Sequence, residues 1–264
     1  MCYSVSQLKL KKYKNAIRAG LDDDTRIRLY QDYLDSYFKE FDINQKDYKY
    51  YHVSGFNYDK PLTVIVDEPD FLQEMSWGLI PNWVGSEEKA SEIRTKTINA
   101  RGETMFEKPS FKDAALNKRC LLIVDGFFEY HRKSGRKIPY RIKRKDDRPL
   151  IIAGIWDESK ALNTRTFSIV TTEANELMTE IHNNGKEARM PLLLDEKTAS
   201  TWLKPIASDM DKQDITKLIK PSKDIALDAF PVRQILGGNG VGAVLLYTSP
   251  SPRDRTRSRM PSSA

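Results

Sequence analysis

Residues 119–171 read RCLLIVDGFFEYHRKSGRKIPYRIKRKDDRPLIIAGIWDESKALNTRTFSIVT, and this stretch decides the fold class. It contains runs rich in β-branched and aromatic residues, which are typical of strands. These runs are 119–130, 138–144, 150–156 and 166–171. Between the first two, Ser134, Gly135 and Arg136 predict a hairpin turn. We therefore expect this part of the chain to build a largely antiparallel sheet.

Further strands and helices are predicted on both sides of this stretch. Strands are expected at 62–66 and 74–80, and helices at 25–41, 110–117, 173–183 and 195–203. Asp195 is a suitable N-cap for the last helix. Because the strands do not alternate strictly with helices, the expected class is α+β with a curved or barrel-like sheet.

Composition limits the class of protein. The chain has 264 residues, of which 39% are hydrophobic, enough for a sizeable core in one large domain or two small ones. No run of about 18 apolar residues and no secretory signal is present. We therefore expect no membrane partner and a cytoplasmic location, associated with the nucleoid in a bacterium. The 43 Lys plus Arg exceed the 37 Asp plus Glu, which permits a polyanionic partner but equally suits an ordinary surface.

The end of the chain differs in composition from the rest. From residue 247 it reads YTSPSPRDRTRSRMPSSA, in which Met260 is the one large aliphatic side chain. Such a composition cannot support a hydrophobic core. We therefore expect a single domain at residues 1–240 and a disordered or foreign tail at 241–264.

Cys2 is a candidate nucleophile because of its position. Removal of Met1 would leave a chain that begins with an amine and a thiol on adjacent carbons. The α-amine has a reference pKa of about 8, so part of it is unprotonated near neutrality and can attack an aldehyde. The thiol can then close a five-membered thiazolidine. Cys120, within the apolar run CLLIV, is expected to be a buried hydrophobe without a disulfide.

Three further positions carry side chains suited to such chemistry. In residues 97–104 (TINARGET), Asn99 could hydrogen-bond a sugar and Arg101 could hold a phosphate, the alternative being a solvated turn. Glu129 ends an apolar strand, where burial would raise its pKa and suit it to acid–base catalysis, unless it is a surface carboxylate. His182 follows a predicted helix and could equally be structural. No HxxxH or CxxC pattern is present, so neither a metal nor another cofactor is expected.

Two tryptophans could contact nucleic-acid bases. Trp77 and Trp83 bound the segment WGLIPNW, which contains a glycine and a proline. Aromatic side chains presented in this way can stack on unpaired bases. The alternative is that at least one of the two rings packs in the core.

The order of these blocks resembles one protein family. Met1-Cys2, WGLIPNW, NARGET, DGFFEY and IVTTEAN…IH…RMP follow one another as in the SOS-response-associated peptidase (SRAP) family, over about residues 1–240. The resemblance implies an α+β fold with a bifurcated, largely antiparallel β-structure, a small barrel and flanking helices. It also implies that the protein senses abasic sites in single-stranded DNA. A reversible thiazolidine crosslink through Cys2, with lyase and autopeptidase activity, is the implied chemistry.

The resemblance also implies roles for individual residues. Cys2 would be the nucleophile, and Asn99 would orient the opened sugar. Glu129 would act as acid and base, also in removing Met1, and His182 would assist ring opening and reversal. The residues implied in DNA binding are Arg101, Trp77, Trp83, Thr171 and Arg189.

Two other functions stay open on the residues alone. One is an N-terminal-nucleophile hydrolase that uses Cys2 on peptides or amides, and the other is a non-catalytic module for single-stranded DNA. A monomer is expected in each case. The chain also departs from the family pattern, because Tyr3 and Ser4 follow Cys2 where the family has Gly-Arg, and six residues separate His182 from Arg189 where the family has fewer.

Overall fold

The computed structural model describes residues 2–7, 52–65, 68–183, 187–223 and 225–232. The helix predicted at 25–41, the domain end near 240 and the tail at 241–264 all lie outside these residues. Among the helices in the described ranges, none has the length and apolar character needed to cross a membrane.

The described strands form two sheets. Their bounds are β1 Ser4–Ser6, β2 Val53–Ser54, β3 Leu62–Ile65, β4 Glu68–Glu74, β5 Ser76–Trp77, β6 Asn99–Arg101, β7 Arg119–Val124, β8 Gly126–Lys133, β9 Arg136–Arg144, β10 Leu150–Ser159, β11 Thr164–Glu173, β12 Arg189–Pro191, β13 Leu193–Leu194 and β14 Leu227–Pro231. The first sheet has the order β14-β9-β8-β1-β2. The second has the order β12-β11-β10-β7-β3-β4, with β13 joined to β10 and with β5 and β6 joined to β11.

The α-helices in the described ranges are short. They are α1 Glu87–Arg94, α2 Lys112–Asn117, α3 Glu176–Ile181, α4 Glu196–Leu203 and α5 Asp209–Lys217. The prediction of Asp195 as an N-cap is confirmed, since its carboxylate accepts the Thr198 N–H at 2.7 Å before α4. Helices α1 and α5 were not expected from the sequence. Each buries a single residue, so neither shows a clear apolar stripe.

The predicted fold class is confirmed, with one correction. Most neighbouring strands pair antiparallel, and the parallel pairs among the described strands are those that β5 and β6 make with β11. The small barrel expected from the resemblance is not seen in these residues, because the described strands form open sheets. The pairing ends at β14 and β2 in one sheet and at β12 and β4 in the other.

The run 119–130, predicted as one strand, is two strands in different sheets. β7 pairs with β10 and β3, whereas β8 pairs with β1 and β9. Between them the Asp125 N–H donates to the Ser6 carbonyl at 2.8 Å. At Gly126 a Cβ would lie 2.6 Å from the Ile142 carbonyl oxygen, so the chain can change sheets here only without a side chain.

The hairpin turn predicted at 134–136 is confirmed between β8 and β9. Ser134 and Gly135 have φ angles of 50° and 76°, the left-handed backbone that a two-residue type I′ turn requires at both central positions. The paired residues Lys133 and Arg136 flank this turn. The two strands are therefore held in one register by a short loop.

The main core lies between the two sheets. Val5, Phe127 and Ile142 from the first sheet share one buried cluster with Trp77 and Ile169 from the second. A second cluster joins the other face of the second sheet to helices α2, α4 and α5. Cys2 belongs to the first cluster, so the start of the chain is part of the core between the sheets.

Candidate active site

Cys2 lies two positions before the start of β1, the strand between β2 and β8 in the first sheet. The antiparallel register pairs Ser4 with Phe128, which directs the start of the chain towards the part of β8 that contains Glu129. The Cys2 side chain is fully buried, and its Sγ lies 3.6 Å from the Ser4 carbonyl oxygen. Strand pairing on both sides of β1 therefore fixes the position of the thiol.

The environment of Cys2 keeps its thiol protonated. Burial, together with the negative charge of Glu129, raises the pKa of the Cys2 thiol from 9.0 to about 12. A thiol is a poor nucleophile until it loses its proton. A base must therefore accept that proton as the sulfur reacts.

Glu129 is paired with His182 next to this thiol. The His182 Nδ1 lies 3.1 Å from one Glu129 oxygen, and the other oxygen accepts the Tyr130 N–H at 3.0 Å. The sequence predicted that burial raises the pKa of Glu129, and this prediction is wrong. The hydrogen bond from His182, the positive chain terminus and the Tyr130 N–H outweigh burial and lower this pKa below its ordinary value. Glu129 is thus a carboxylate at neutral pH and can accept a proton.

The segment that carries His182 is attached to β8 by its neighbour, Asn183. The Asn183 amide accepts the Arg132 N–H at 2.8 Å and donates to the Arg132 carbonyl at 2.8 Å, as a neighbouring strand would. One residue earlier on β8, the His131 Nδ1 lies 3.0 Å from the Glu180 carbonyl oxygen. These contacts fix His182 relative to Glu129. Asn183 was not expected as a site residue, because nothing in the sequence indicates that its amide meets β8.

Asn99 brings an unsatisfied amide into the core. It begins β6, where it pairs in parallel with Ile169 of β11. Its Oδ1 and Nδ2 are both buried and have no hydrogen-bond partner among the described residues. Burying such a group unpaired costs about 1–3 kcal/mol, so it is a candidate ligand-binding group. Its neighbour Ile98 belongs to the same core cluster as Cys2.

The two tryptophans singled out in the sequence lie in different environments. Trp77 is fully buried, donates its indole N–H to the Ile98 carbonyl at 2.8 Å and stacks on Phe167 with ring centroids 5.7 Å apart. Trp83 is 46% exposed, and the Lys89 Nζ lies 5.1 Å from its ring centroid. An exposed ring beside a cation offers a surface to a base and its phosphate, whereas Trp77 supports the core.

Arg101 and Arg189 also differ. Arg101 is exposed and forms a 2.9 Å ion pair with Glu187. Arg189 is buried, pairs with Glu103 at 2.6 Å and donates to the Thr171 carbonyl at 2.9 Å. Thr171 is buried as well, and its hydroxyl donates to the Ala100 carbonyl at 3.3 Å. Arg189 and Thr171 therefore link β6, β11 and β12 through buried hydrogen bonds. Of the three side chains, Arg101 is the one that is exposed.

The two arginines should consequently differ in their effect on stability. Arg189→Met removes buried charge-assisted hydrogen bonds, and we expect it to lower the free energy of unfolding by about 1.5–3 kcal/mol. Arg101→Met removes an exposed ion pair, and we expect a loss of about 0–1 kcal/mol. Urea unfolding of both variants measures the difference. Equal losses would contradict the distinct environments of the two side chains.

Comparison with known proteins identifies the family. The family model described as SOS response associated peptidase (SRAP) matches residues 24–238, most of the chain. The chain belongs to the SRAP family. The resemblance found in the sequence is thereby confirmed. The SRAP match includes Asn99, Glu129 and His182, and Cys2 lies ahead of it.

Relatives of this SRAP chain occur in bacteria and animals. Abasic site processing protein YoqW of Bacillus subtilis (strain 168) is 36% identical over 180 residues, which are 66% of this chain and 75% of that protein. Abasic site processing protein YoaM of the same strain is 33% identical over 219 residues, 80% of this chain and 91% of that protein. Abasic site processing protein HMCES of Gallus gallus is 33% identical over 179 residues, 59% and 51% of the two chains.

A solved structure has a similar fold. An X-ray crystal structure of a protein from Bacteroides thetaiotaomicron superposes with a TM-score of 0.68 and 35% sequence identity. The superposition covers 89% of this chain and 93% of that one. The two-sheet arrangement described above therefore has a counterpart in a crystal structure.

Proposed function

We propose that this protein processes abasic sites in DNA by forming a reversible covalent bond through Cys2. The observation that carries the proposal is the Glu129–His182 ion pair, whose carboxylate lies close enough to raise the pKa of the Cys2 thiol at the start of the chain. The names of the relatives YoqW, YoaM and HMCES support the substrate class. The proposed setting is the response to DNA damage.

The first proposed step is hydrolysis of the Met1–Cys2 peptide bond. Water adds to the Met1 carbonyl, and methionine leaves as Cys2 gains a free amine. Glu129 is the proposed acid–base group, because its carboxylate lies close enough to raise the pKa of the Cys2 thiol and is itself ionised. Proton transfer by a positioned carboxylate of this kind accelerates such steps.

The second proposed step joins Cys2 to the ring-opened aldehyde of an abasic site. The amine adds to C1′, and loss of one water gives an imine. The sulfur then adds to the imine carbon while the thiol proton ends on the nitrogen, which closes a thiazolidine without losing an atom. Because the thiol is neutral, Glu129 would accept its proton and return it to the nitrogen. Reversal follows the same path, with His182 assisting ring opening.

The DNA contacts proposed here involve backbone and stacking. Trp83 would stack on an unpaired base and Arg101 would hold a phosphate, since both are exposed. Asn99 would hydrogen-bond the opened sugar with its unpaired amide. We propose that Trp77, Thr171 and Arg189 contribute indirectly, because they are buried and stabilise the strands that carry these groups. Binding of this kind favours single strands and depends little on sequence.

Intact-mass spectrometry tests the proposal directly. After incubation with a single-stranded oligonucleotide that carries one abasic site, we expect an adduct at the sum of the two masses minus one water, with the protein lacking Met1. An oligonucleotide without the lesion should give no adduct. The rival hydrolase would instead cleave peptides without DNA, and a binding module would give no covalent mass. Either result in place of the adduct would refute the proposal.

A further inference from the structure

The β8–β9 hairpin ends in a cluster of cations, residues 132–137, which we call the basic tip. Arg132 and Lys133 lie on β8, and Arg136 and Lys137 lie on β9. All four side chains are exposed. None of them forms an ion pair with an acidic side chain in the described part of the chain. The tip therefore carries four uncompensated positive charges within six residues.

At the other end of the same hairpin, cationic side chains are paired with carboxylates. Lys143 forms an ion pair with Asp147, and Arg144 pairs with Asp146 at 2.6 Å. Among the residues that the structure describes, carboxylates therefore pair with the cations at this end of the hairpin and not with those of the basic tip. The basic tip is thus not an average solvated surface of mixed charge.

The cations of the basic tip also face one another across the two strands. The register pairs Arg132 with Lys137 and Lys133 with Arg136. Like charges directly opposite in an antiparallel pair are destabilising. The type I′ turn holds them there, since its short loop fixes the register. An anion bound between the paired cations would relieve this repulsion.

The two pairs lie on opposite faces of the hairpin. Side chains alternate along a strand, so Lys133 shares a face with His131 and Glu129, whereas Arg132 does not. Opposed residues share a face, so Arg136 lies on the Glu129 face with Lys133. Lys133 is four positions after Glu129 along β8, which corresponds to about 13 Å.

We infer that the Lys133–Arg136 pair binds the phosphate backbone of the DNA strand that flanks the captured sugar. This inference rests on the proposed function for the position of the sugar at Cys2 and Glu129. Phosphates suit the pair because they are closely spaced anions that a guanidinium and an ammonium can hold together. DNA is favoured over an acidic protein surface because both cations lie on the face of the hairpin that carries Glu129, and Lys133 lies on the same strand as Glu129.

A matched pair of double variants tests the inference. Lys133→Gln/Arg136→Gln removes the cations on the Glu129 face, and Arg132→Gln/Lys137→Gln removes as many from the opposite face of the same tip. Full-length proteins are titrated into a fluorescent single-stranded oligonucleotide without a lesion, and anisotropy is followed at several NaCl concentrations. Removing repulsion at exposed positions should leave both variants folded, which their melting temperatures check.

The Lys133→Gln/Arg136→Gln variant should bind roughly tenfold more weakly at moderate salt. The slope of log affinity against log salt should fall by about 1.4, since each phosphate contact on a single strand contributes about 0.7. In the Arg132→Gln/Lys137→Gln variant, the loss of affinity and the fall in the salt slope should each be less than half as large. Equal losses in both would mean attraction by net charge alone, and no loss in either would mean no contact. Each of these results would overturn the inference.

The same titration separates this inference from the proposed function. It uses undamaged DNA and therefore needs no covalent step. If the wild type forms no adduct with abasic DNA but the Glu129-face variant alone binds undamaged DNA weakly, the basic tip is supported and the chemistry fails. If the adduct forms and the two variants bind alike, the chemistry is supported and the basic tip fails.

Discussion

Cys2→Ala should abolish the covalent product with abasic single-stranded DNA. The variant still begins with an amine after Met1 is removed, but it has no sulfur to close the ring, so any imine stays open to hydrolysis. A denaturing gel of heated samples measures the loss, which should be complete. A heat-stable band of wild-type intensity would contradict the proposed chemistry.

Cys120→Ala is the matched control for this prediction. Cys120 is also fully buried, and burial likewise raises the pKa of its thiol. It lies on β7, where its Sγ occupies the space beside Gly154. The control should keep the full covalent yield. Loss of the product in Cys120→Ala would assign the reactive sulfur to the wrong residue.

Cys2→Ser isolates the contribution of the amine. The serine variant keeps the amine and has a hydroxyl on the carbon that carried the thiol. A hydroxyl is a weaker nucleophile than a thiol at neutral pH. Borohydride reduction should trap its imine with abasic DNA, whereas heating without borohydride should release the DNA. A heat-stable product without reduction would show that ring closure does not need sulfur.

Glu129→Gln should slow adduct formation by about 10²–10⁴-fold, the usual contribution of a positioned acid–base group. Glutamine can still accept the Tyr130 N–H, but it cannot take the proton of a thiol whose pKa is about 12. Quenched time courses on gels measure the rate. Glu158→Gln, which removes a carboxylate paired with Arg165, should react at the wild-type rate.

Acid unfolding provides a second readout for Glu129. Its pKa in the folded protein is lower than the ordinary 4.5, so the carboxylate stabilises the folded state at pH values above 4.5. That contribution is lost as the pH falls through the lower, folded pKa. In urea unfolding between pH 7 and 3, Glu129→Gln should show a shallower loss of stability than the wild type. An unchanged pH dependence would contradict the His182–Glu129 pairing.

Much of the fold was predictable because its strands pair locally. The β8–β9 hairpin follows from two β-rich runs and the Ser134–Gly135 turn, and α4 follows from its cap at Asp195. Prediction failed at the run 119–130. A continuous apolar pattern does not show that the first half belongs to one sheet and the second half to another, since the contact at the change of sheets is with Ser6, near the start of the chain.

The candidate site was predictable as a set of residues but not as an arrangement. Cys2, Glu129 and His182 were singled out from the sequence, and the structure brings the Glu129 carboxylate next to both other side chains. The direction of the Glu129 pKa was not predictable. It depends on His182 and Tyr130 donating hydrogen bonds, which outweigh the burial that the sequence did indicate. Asn183 was missed because its hydrogen bonds with Arg132 join two segments that are far apart in the sequence.

Residue types and their order along the chain were enough to identify the cysteine at position 2, the candidate acid–base groups, the α+β class and the family. Which member of each similar pair is exposed depends on how the strands pack together and could not be predicted. Trp83 and Arg101 face solvent, whereas Trp77 and Arg189 are buried. Residue type and local spacing reflect interactions among residues that are close in the sequence. Burial is set by contacts between strands far apart in the sequence.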